Sequence, residues 1–312
     1  MNEIKKIEIC CPVYNEEENI EDFFVAYTKI TQAHKGKYIF SFLFSDNCST
    51  DNSFNIIKTI ASNNNNVSGI RYSRNFGVMK SIYTAIIESK SDCDAIAVFD
   101  CDLQDPPELL NKFIKEYENG FKVIYGKRID RDEPYLMRFL RKCYKKIEAI
   151  LQKNPSNLES GAWFLDKAIV EEITKNQYYQ PYLSGLINNI GFKKTGVEYE
   201  RLKRKKGITK FSYISYFLYA IDGIVGGSIV PLRISIFVGL IFGLLAIFVA
   251  IYFIIAKLFL GIDFAEGVVA IIILLLFNFA VNFFFLGIIG EYVGRIFKKE
   301  EDSLPAIIEE RI

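Results

Sequence analysis

The stretch AIAVFDCDLQDPPELL, Ala95 to Leu110, opens as an apolar strand and closes on Asp100, Asp102, Asp105, Glu108 and two prolines. Side chains at i and i+2 of an extended segment share one face, so Asp100 and Asp102 point the same way across Cys101. Two carboxylates so placed repel unless a positive charge lies between them. A divalent cation bridging to phosphate oxygens is the natural occupant, because Mg²⁺ favours one or two carboxylates plus substrate phosphates over a full protein cage. The competing reading is a solvated strand-end turn. The prolines and the following LLNKFIKEYENG predict a helix with proline in its first turn and glycine past its end.

The same unit recurs on either side. KIEICCPVYN, YIFSFLFSDNCS and FKVIYGKR are strands running into loops, and SGIRYSRNFG is a strand end. IEDFFVAYTKITQAH, TDNSFNIIKTIASN and VMKSIYTAIIESK are helices, the second with Ser49 or Thr50 as N-cap. This alternation predicts an α/β fold with a mainly parallel, doubly wound, Rossmann-like sheet. Ligands of such sheets bind beyond the carboxyl ends of the strands, which is where Glu16, Asp46, Asp51, Asp100 and Asp102 collect.

The 312 residues carry a formal net charge of +1, so no polyanionic partner such as a nucleic acid is expected. Six cysteines form no CxxC pair and are expected as reduced thiols. The single histidine, His34 in the polar helix end QAHKGK, is expected at the surface, which removes most Ser-His-Asp and Cys-His chemistry. MNEIKKIEICCPVYNEEEN has too short an apolar run and too many acids for a signal peptide, so the first part of the chain is expected in the cytoplasm.

Composition changes near Pro231. Ile234 to Ala256 is 23 residues without a charge and Gly267 to Gly290 is 24. About 20 helical residues cross a hydrocarbon core, so the two runs predict a transmembrane hairpin with spans at about 233–256 and 267–290. PLR before it and GRIFKKE after it are positively charged and place both ends in the cytoplasm. Lys210 to Val230, apolar and aromatic but broken by Asp222 and Gly226-Gly227, is expected as an interfacial helix. The expected organisation is a catalytic domain over 1–209, the interfacial region over 210–230, the hairpin over 231–294 and a cytoplasmic tail over 295–312, in a multi-pass plasma (inner) membrane protein. Small residues and aromatics in the hairpin suit packing between chains, so a homo-oligomer fits the pattern.

Arg138, Arg141, Lys142 and Lys145 follow an i, i+3, i+4, i+7 helical pattern, a basic stripe suited to an anionic acceptor phosphate or a solvated face. A second cluster, Arg201, Arg204, Lys205, Lys206 and Lys210, precedes the apolar region and suits a lipid phosphate or anionic headgroups.

DCDLQDPPELL, with PVYNEEENI at the first strand and DNCSTDNS at the second, resembles the family 2 glycosyltransferases. More narrowly it is similar to the polyprenyl-phosphate group that includes bactoprenol glucosyltransferases and dolichol-phosphate mannose synthases. SRNFG (Ser73–Gly77), VIYGKR (Val123–Arg128), KGITKFS (Lys206–Ser212), PLR (Pro231–Arg233), the two apolar runs and EYVGRIF match too, so the resemblance covers nearly the whole chain. It implies a GT-A type domain and inverting transfer of one hexose from a nucleotide sugar to undecaprenyl or another polyprenyl phosphate. Glucose from a UDP-sugar is favoured, GlcNAc or GDP-mannose are alternatives, and Mg²⁺ or Mn²⁺ is the implied cofactor. The lipid bilayer is the implied setting. The lipid-linked sugar would feed cell-surface glycans such as wall polymer, lipopolysaccharide O-antigen or teichoic acid.

Carried over, the resemblance implies that Pro12, Tyr14 and Glu16 line the nucleotide pocket and that Asp46 accepts a hydrogen bond from the base. Asp100 would lie by the ribose or metal, Asp102 would ligate the metal, and Arg128 would hold phosphate. Gln104 and Asp105 would lie at or behind the sugar, with a helix N-cap as the other reading of Asp105. Glu159 would be the catalytic carboxylate at the acceptor, with Arg138, Arg141, Arg204 and Lys210 on the acceptor phosphate. That phosphate is already anionic at neutral pH and needs no strong base.

Departures from the family pattern are expected to matter. Asn47 replaces the second acid of DDGSTD, which bears on base contacts or their support. NLESGAWFLDK stands where D-x-G-D/S-F-R-L is usual, with Glu159 at the acid and Phe164 at the arginine, a lost phosphate or structural contact. Trp163 is either a sugar-stacking ring or core. A processive polysaccharide synthase would show QxxRW and more spans, a phosphotransferase would show a P-loop, and a non-catalytic nucleotide-sugar-binding protein rests on the altered segment alone.

Overall fold

A computed structural model describes residues 4–89, 92–129, 162–175, 190–202, 267–301 and 306–312, and positions 146, 183, 187, 244, 248, 251, 252, 255, 258 and 259 singly. The apolar runs form strands β1 (Lys5–Val13), β2 (Tyr38–Asp46), β3 (Val67–Tyr72), β4 (Ala95–Val98), β5 (Val123–Arg128), β6 (Trp163–Asp166), β7 (Lys194–Tyr199) and β8 (Ile308–Arg311). The helices are α1 (Ile20–Gln32), α2 (Ser53–Asn63), α3 (Val78–Ile87), α4 (Leu109–Glu118), α5 (Lys167–Lys175) and α6 (Gly267–Glu301).

The strands form one sheet in the order β7-β5-β6-β4-β1-β2-β3-β8. β4, β1, β2 and β3 are mutually parallel, as are β5 and β7, while β6 runs antiparallel between β4 and β5. The expected mainly parallel sheet is therefore present, with antiparallel strands inserted at β6 and added at the β8 edge.

Alternation along each strand feeds two cores. Ile7, Ile9 and Cys11 of β1, Ala95 and Ala97 of β4 and Phe164 of β6 pack with Phe23, Phe54 and Phe113 of α1, α2 and α4. The intervening Cys10, Ile96, Val98, Trp163 and Leu165 pack with Ile82, Ile86, Ile169 and Ile173 of α3 and α5. Gly120, at φ 85, ends α4 as the glycine after a helix should.

Two local expectations are corrected. α2 is capped at Asn52, not at Ser49 or Thr50. Cys48 takes φ 60 and the Ser49 hydroxyl accepts from the Asn15 N–H, so residues 47–52 form a loop rather than a first turn. His34 is half-buried, with Nε2 2.6 Å from Asn111 Oδ1 of α4, not a plain surface side chain.

Among the described residues one helix holds a stretch long and apolar enough to cross a membrane, Phe277–Gly294 in α6, with mean hydropathy 1.3 and none of it buried in the structure. Of the first expected span, Leu244, Phe248, Ile251, Tyr252 and Ile255 are described, all helical and exposed. The expected interfacial region, 210–230, lies outside the described residues. Within the stretch expected as a tail, α6 runs on to Glu301 and residues 306–312 return to the sheet as β8.

β8 is fastened at both ends. The Ala306 N–H donates to Thr84 Oγ1 at 2.9 Å, and Gly69 and Ile312 exchange backbone hydrogen bonds at 3.0 and 2.9 Å. A Cβ on Gly69 would sit 2.8 Å from Ile57 Cγ2 and 2.9 Å from Ile312 Cδ1. Gly69→Ala therefore displaces Ile312 and costs about 1–3 kcal/mol of overpacking. The expected readout is a lower unfolding midpoint and faster carboxypeptidase trimming; a variant as stable and resistant as the parent contradicts this packing.

Candidate active site

The backbone itself marks one edge of the sheet. Asn15, Cys48 and Leu103, with φ of 52, 60 and 52°, are the non-glycine residues at positive φ among those described. They lie in the loops that follow β1, β2 and β4, three neighbouring parallel strands. Strained residues persist only where their surroundings over-determine them, and they cluster at functional sites. Here the surroundings are stitches between loops. The Asn15 and Glu16 N–H groups donate to Ser49 and Ser53 hydroxyls, both at 2.9 Å. The Thr50 N–H donates to Asn15 Oδ1 at 2.8 Å and the Asn52 N–H to Glu17 Oε2 at 2.8 Å.

Pro12, Tyr14, Glu16 and Asp46 all stand at this edge, where Pro12 pairs with Ser45 and Val13 with Asp46. Pro12 and Tyr14 are half-buried. The Glu16 carboxylate turns back onto Asn19, whose Nδ2 donates at 2.6 Å, so it also shapes the entry to α1. Asp46 is fully buried and accepts from the Ser49 N–H at 3.3 Å. Burial pushes its pKa up, against the pull of the Ser49 hydrogen bonds and of Arg71, 3.8 Å away.

Beyond β4 lies a second acidic group. Asp102 Oδ1 accepts the Gln104 N–H at 3.1 Å across the strained Leu103. Asp105 is 1% exposed and does not cap α4, whose N-cap is Glu108. It is instead a hub: the Tyr199 hydroxyl donates to Oδ1 at 2.5 Å, Arg128 stands at 3.7 Å and Arg201 at 3.9 Å. Its Oδ2 is buried and has no hydrogen-bond partner among the described residues. Burial, then Asp105 and Asp102, raise Asp100 to a pKa of about 6 despite Arg128 and Arg201.

Arg128 ends β5 opposite Tyr199 of β7 and donates from Nε to the Tyr199 hydroxyl at 3.0 Å. Burial opposes its charge, and the nearby Asp105, Tyr199 and Asp100 more than restore it. Gln104 ties the loop to the segment after β7, its carbonyl accepting the Leu202 N–H at 2.8 Å. The edge thus holds the buried Asp46, an acidic cluster and, behind that cluster, two arginines. Among the described residues no group of three His, Cys, Asp or Glu is arranged to hold a metal ion alone.

Several expected residues, Glu159, Arg138, Arg141, Arg204 and Lys210, lie outside the described residues. The departures resolve otherwise. The Asn47 side chain donates to Asn75 Oδ1 at 2.9 Å and accepts the Phe76 N–H at 2.9 Å, so it braces the SRNFG loop. Phe164 is fully buried between Tyr117 and Phe113, with centroids 5.1 and 6.5 Å away. Its side chain belongs to the core. Trp163 is 2% exposed and is likewise core. Tyr199 and Arg71 were not anticipated; their roles depend on strand pairings distant in sequence.

The glycosyl transferase family 2 model matches residues 8–174, which spans the edge loops and both cores. The chain belongs to glycosyl transferase family 2. The expected enzyme class, a glycosyltransferase, is borne out. Several relatives match almost end to end. The uncharacterized glycosyltransferase YkcC of Bacillus subtilis (strain 168) is 30% identical, covering 94% of this chain and 90% of that protein. The bactoprenol glucosyl transferase of Shigella phage SfX is 26% identical, covering 98% and 99%. The prophage bactoprenol glucosyl transferase homolog of Escherichia coli (strain K12) is 28% identical, covering 94% of each. Among solved structures, glucosyl-3-phosphoglycerate synthase from Mycobacterium tuberculosis, determined with Mn2+, UDP and phosphoglyceric acid, superposes with a TM-score of 0.50 at 16% identity over 71% of this chain and 76% of that one. At that identity the likeness shows the fold alone, a GT-A-like α/β domain.

Proposed function

We propose that this glycosyltransferase moves a single hexose, glucose in the first instance, from a UDP-sugar to a polyprenyl phosphate with inversion at the anomeric carbon. The observation that carries the proposal is the acidic cluster of Asp100, Asp102 and Asp105 at the same sheet edge as the buried Asp46. The similarity to bactoprenol glucosyl transferases over nearly the full chain supports the acceptor.

The cluster fits a divalent cation. Asp100 is raised to about 6 by burial and neighbouring acids, and Asp105 Oδ2 is buried without a hydrogen-bond partner among the described residues. Both signs describe an electrostatically unsatisfied pocket. Asp102 and Asp100 would hold Mg²⁺ or Mn²⁺ together with diphosphate oxygens and water. When bound, the cation supplies positive charge to the diphosphate leaving group. Asp46 accepts an N–H of the base, while Pro12 and Tyr14 flank it. Asp105 and Tyr199 fix Arg128 and Arg201 behind the cluster, so their charge bears on the diphosphate from a set position. An acceptor phosphate oxygen attacks the anomeric carbon as the bond to the diphosphate breaks, and the electron pair leaves on the β-phosphate oxygen. One displacement inverts the centre, and no proton must be removed first. The single histidine fits this picture, since His34 follows α1 and precedes β2, at the opposite edge of the sheet.

The return of the chain to the sheet as β8 supports the membrane hairpin. β1 to β7 precede α6 and β8 follows it, in one sheet. A chain that leaves a domain and re-enters it crosses the bilayer an even number of times, so a spanning α6 needs a companion. The uncharged run Ile234–Ala256 is that companion, with its described side chains exposed. Both ends then face the cytoplasm beside the catalytic domain.

The donor is tested with solubilised protein, undecaprenyl phosphate, Mg²⁺ or Mn²⁺, and UDP-glucose, UDP-GlcNAc or GDP-mannose in turn. Acceptor-dependent release of UDP from UDP-glucose is expected; release of GDP from GDP-mannose alone overturns the UDP assignment.

A further inference from the structure

The carboxylate assigned above to the base has an unusual counter-ion. Asp46 ends β2 and pairs with Arg71 across the β2–β3 register. The Arg71 guanidinium is held at one end, with Nη2 donating to the Ser49 carbonyl at 3.2 Å and the group lying 5.1 Å from the Phe54 ring centroid. Its Nε is buried and has no hydrogen-bond partner among the described residues. That atom lies 3.8 Å from Asp46 Oδ2 and 3.8 Å from Glu309 Oε2.

Glu309 is there because β8 is irregular. Arg71 pairs with Glu310 and Tyr72 with Ile308, so Glu309 is the extra residue of a bulge. In a regular strand neighbouring side chains point to opposite faces. The bulge re-aims one of them, as bulges beside active sites do. Both acids then reach cations on the α2 side: Glu310 meets Lys58 at 2.7 Å and Glu309 meets Arg71.

We infer that Arg71 is a positioning residue that keeps the buried Asp46 charged and aimed at the base, and that Glu309 of the C-terminal strand tunes it by drawing on the same guanidinium. The inference rests on the reading of Asp46 as the base acceptor. The charged and polar groups facing Asp46 are Arg71 from β3 and Ser49 and Asp51 from its own loop, with Glu309 of β8 acting through Arg71. The strand that follows the membrane helix thereby reaches the donor pocket.

The test uses full-length protein in detergent. UDP and GDP binding are measured by calorimetry from acid to neutral pH, and donor KM and kcat are measured separately. Arg71→Gln is expected to raise donor KM about tenfold, the order of one weakened hydrogen bond to a charged group, with kcat within about twofold. Asp46 must be ionised to accept the base N–H. Loss of its cation raises its pKa, so the acid limb of binding moves to higher pH, and Arg71→Lys restores part of it. Glu309→Gln, at a side chain 59% exposed and so without risk to folding, is expected to move the limb to lower pH. If wild-type protein binds a nucleotide and both Gln variants match it in KM and pH profile, the inference is overturned and the base assignment survives. If the wild type binds neither UDP nor GDP, the base assignment falls and takes the inference with it.

Discussion

Asp102→Asn lowers sugar transfer by about a thousandfold, the order seen when a preorganised electrostatic partner of a transition state is removed. The substitution is close to a pure charge change. Asp102 Oδ1 accepts the Gln104 N–H at 3.1 Å, and an asparagine oxygen accepts the same bond, so the strained turn at Leu103 keeps its support. What goes is one negative charge from a group that also holds Asp100 and Asp105. The loss of repulsion stabilises the fold slightly while the site loses its cation. Expected together are an unfolding midpoint at or above the parent's and transfer that added Mg²⁺ or Mn²⁺ does not restore. Unchanged transfer would remove the carboxylates from the chemistry.

Phe164→Arg, which installs the residue usual in the family pattern, is expected to unfold the domain. Phe164 is opposite Ala97 on one side and Ile124 on the other, beneath Phe113 and Tyr117. A guanidinium there is a buried charge in an apolar layer, a cost of several kcal/mol. Whole-domain stability is only about 5–15 kcal/mol. Phe164→Leu keeps the layer apolar and costs about 1–2 kcal/mol. Loss of soluble protein with Arg but not with Leu is the expected pattern. A folded Phe164→Arg protein with tighter acceptor binding would return this position to the acceptor site.

The parallel half of the fold was legible because each of its strands is a local apolar run followed by an amphipathic helix. DCDLQDPPELL and the acids at strand ends were legible for the same reason, since they sit where such strands must stop. β8 was not. IEER is short and charged, and only its pairing with β3, more than two hundred residues earlier, makes it a strand. Tyr199 shows the same limit: it becomes part of the site because β7 pairs with β5 and brings its hydroxyl to Asp105 and Arg128. Phe164 shows the converse limit. A motif comparison assigns a position without its face, and the pleat of β6 turns Trp163 to one core and Phe164 to the other.

The central claim is that a lipid phosphate accepts the sugar. It is tested most directly by the mass of the lipid recovered after incubation of the full-length protein with UDP-glucose, a divalent cation and undecaprenyl phosphate, beside the dephosphorylated polyprenol. The expected product is undecaprenyl phosphate carrying one hexose, with none on the alcohol and none with Asp102→Asn. Glucose found on the alcohol, or a lipid left unmodified with all three donors, contradicts it.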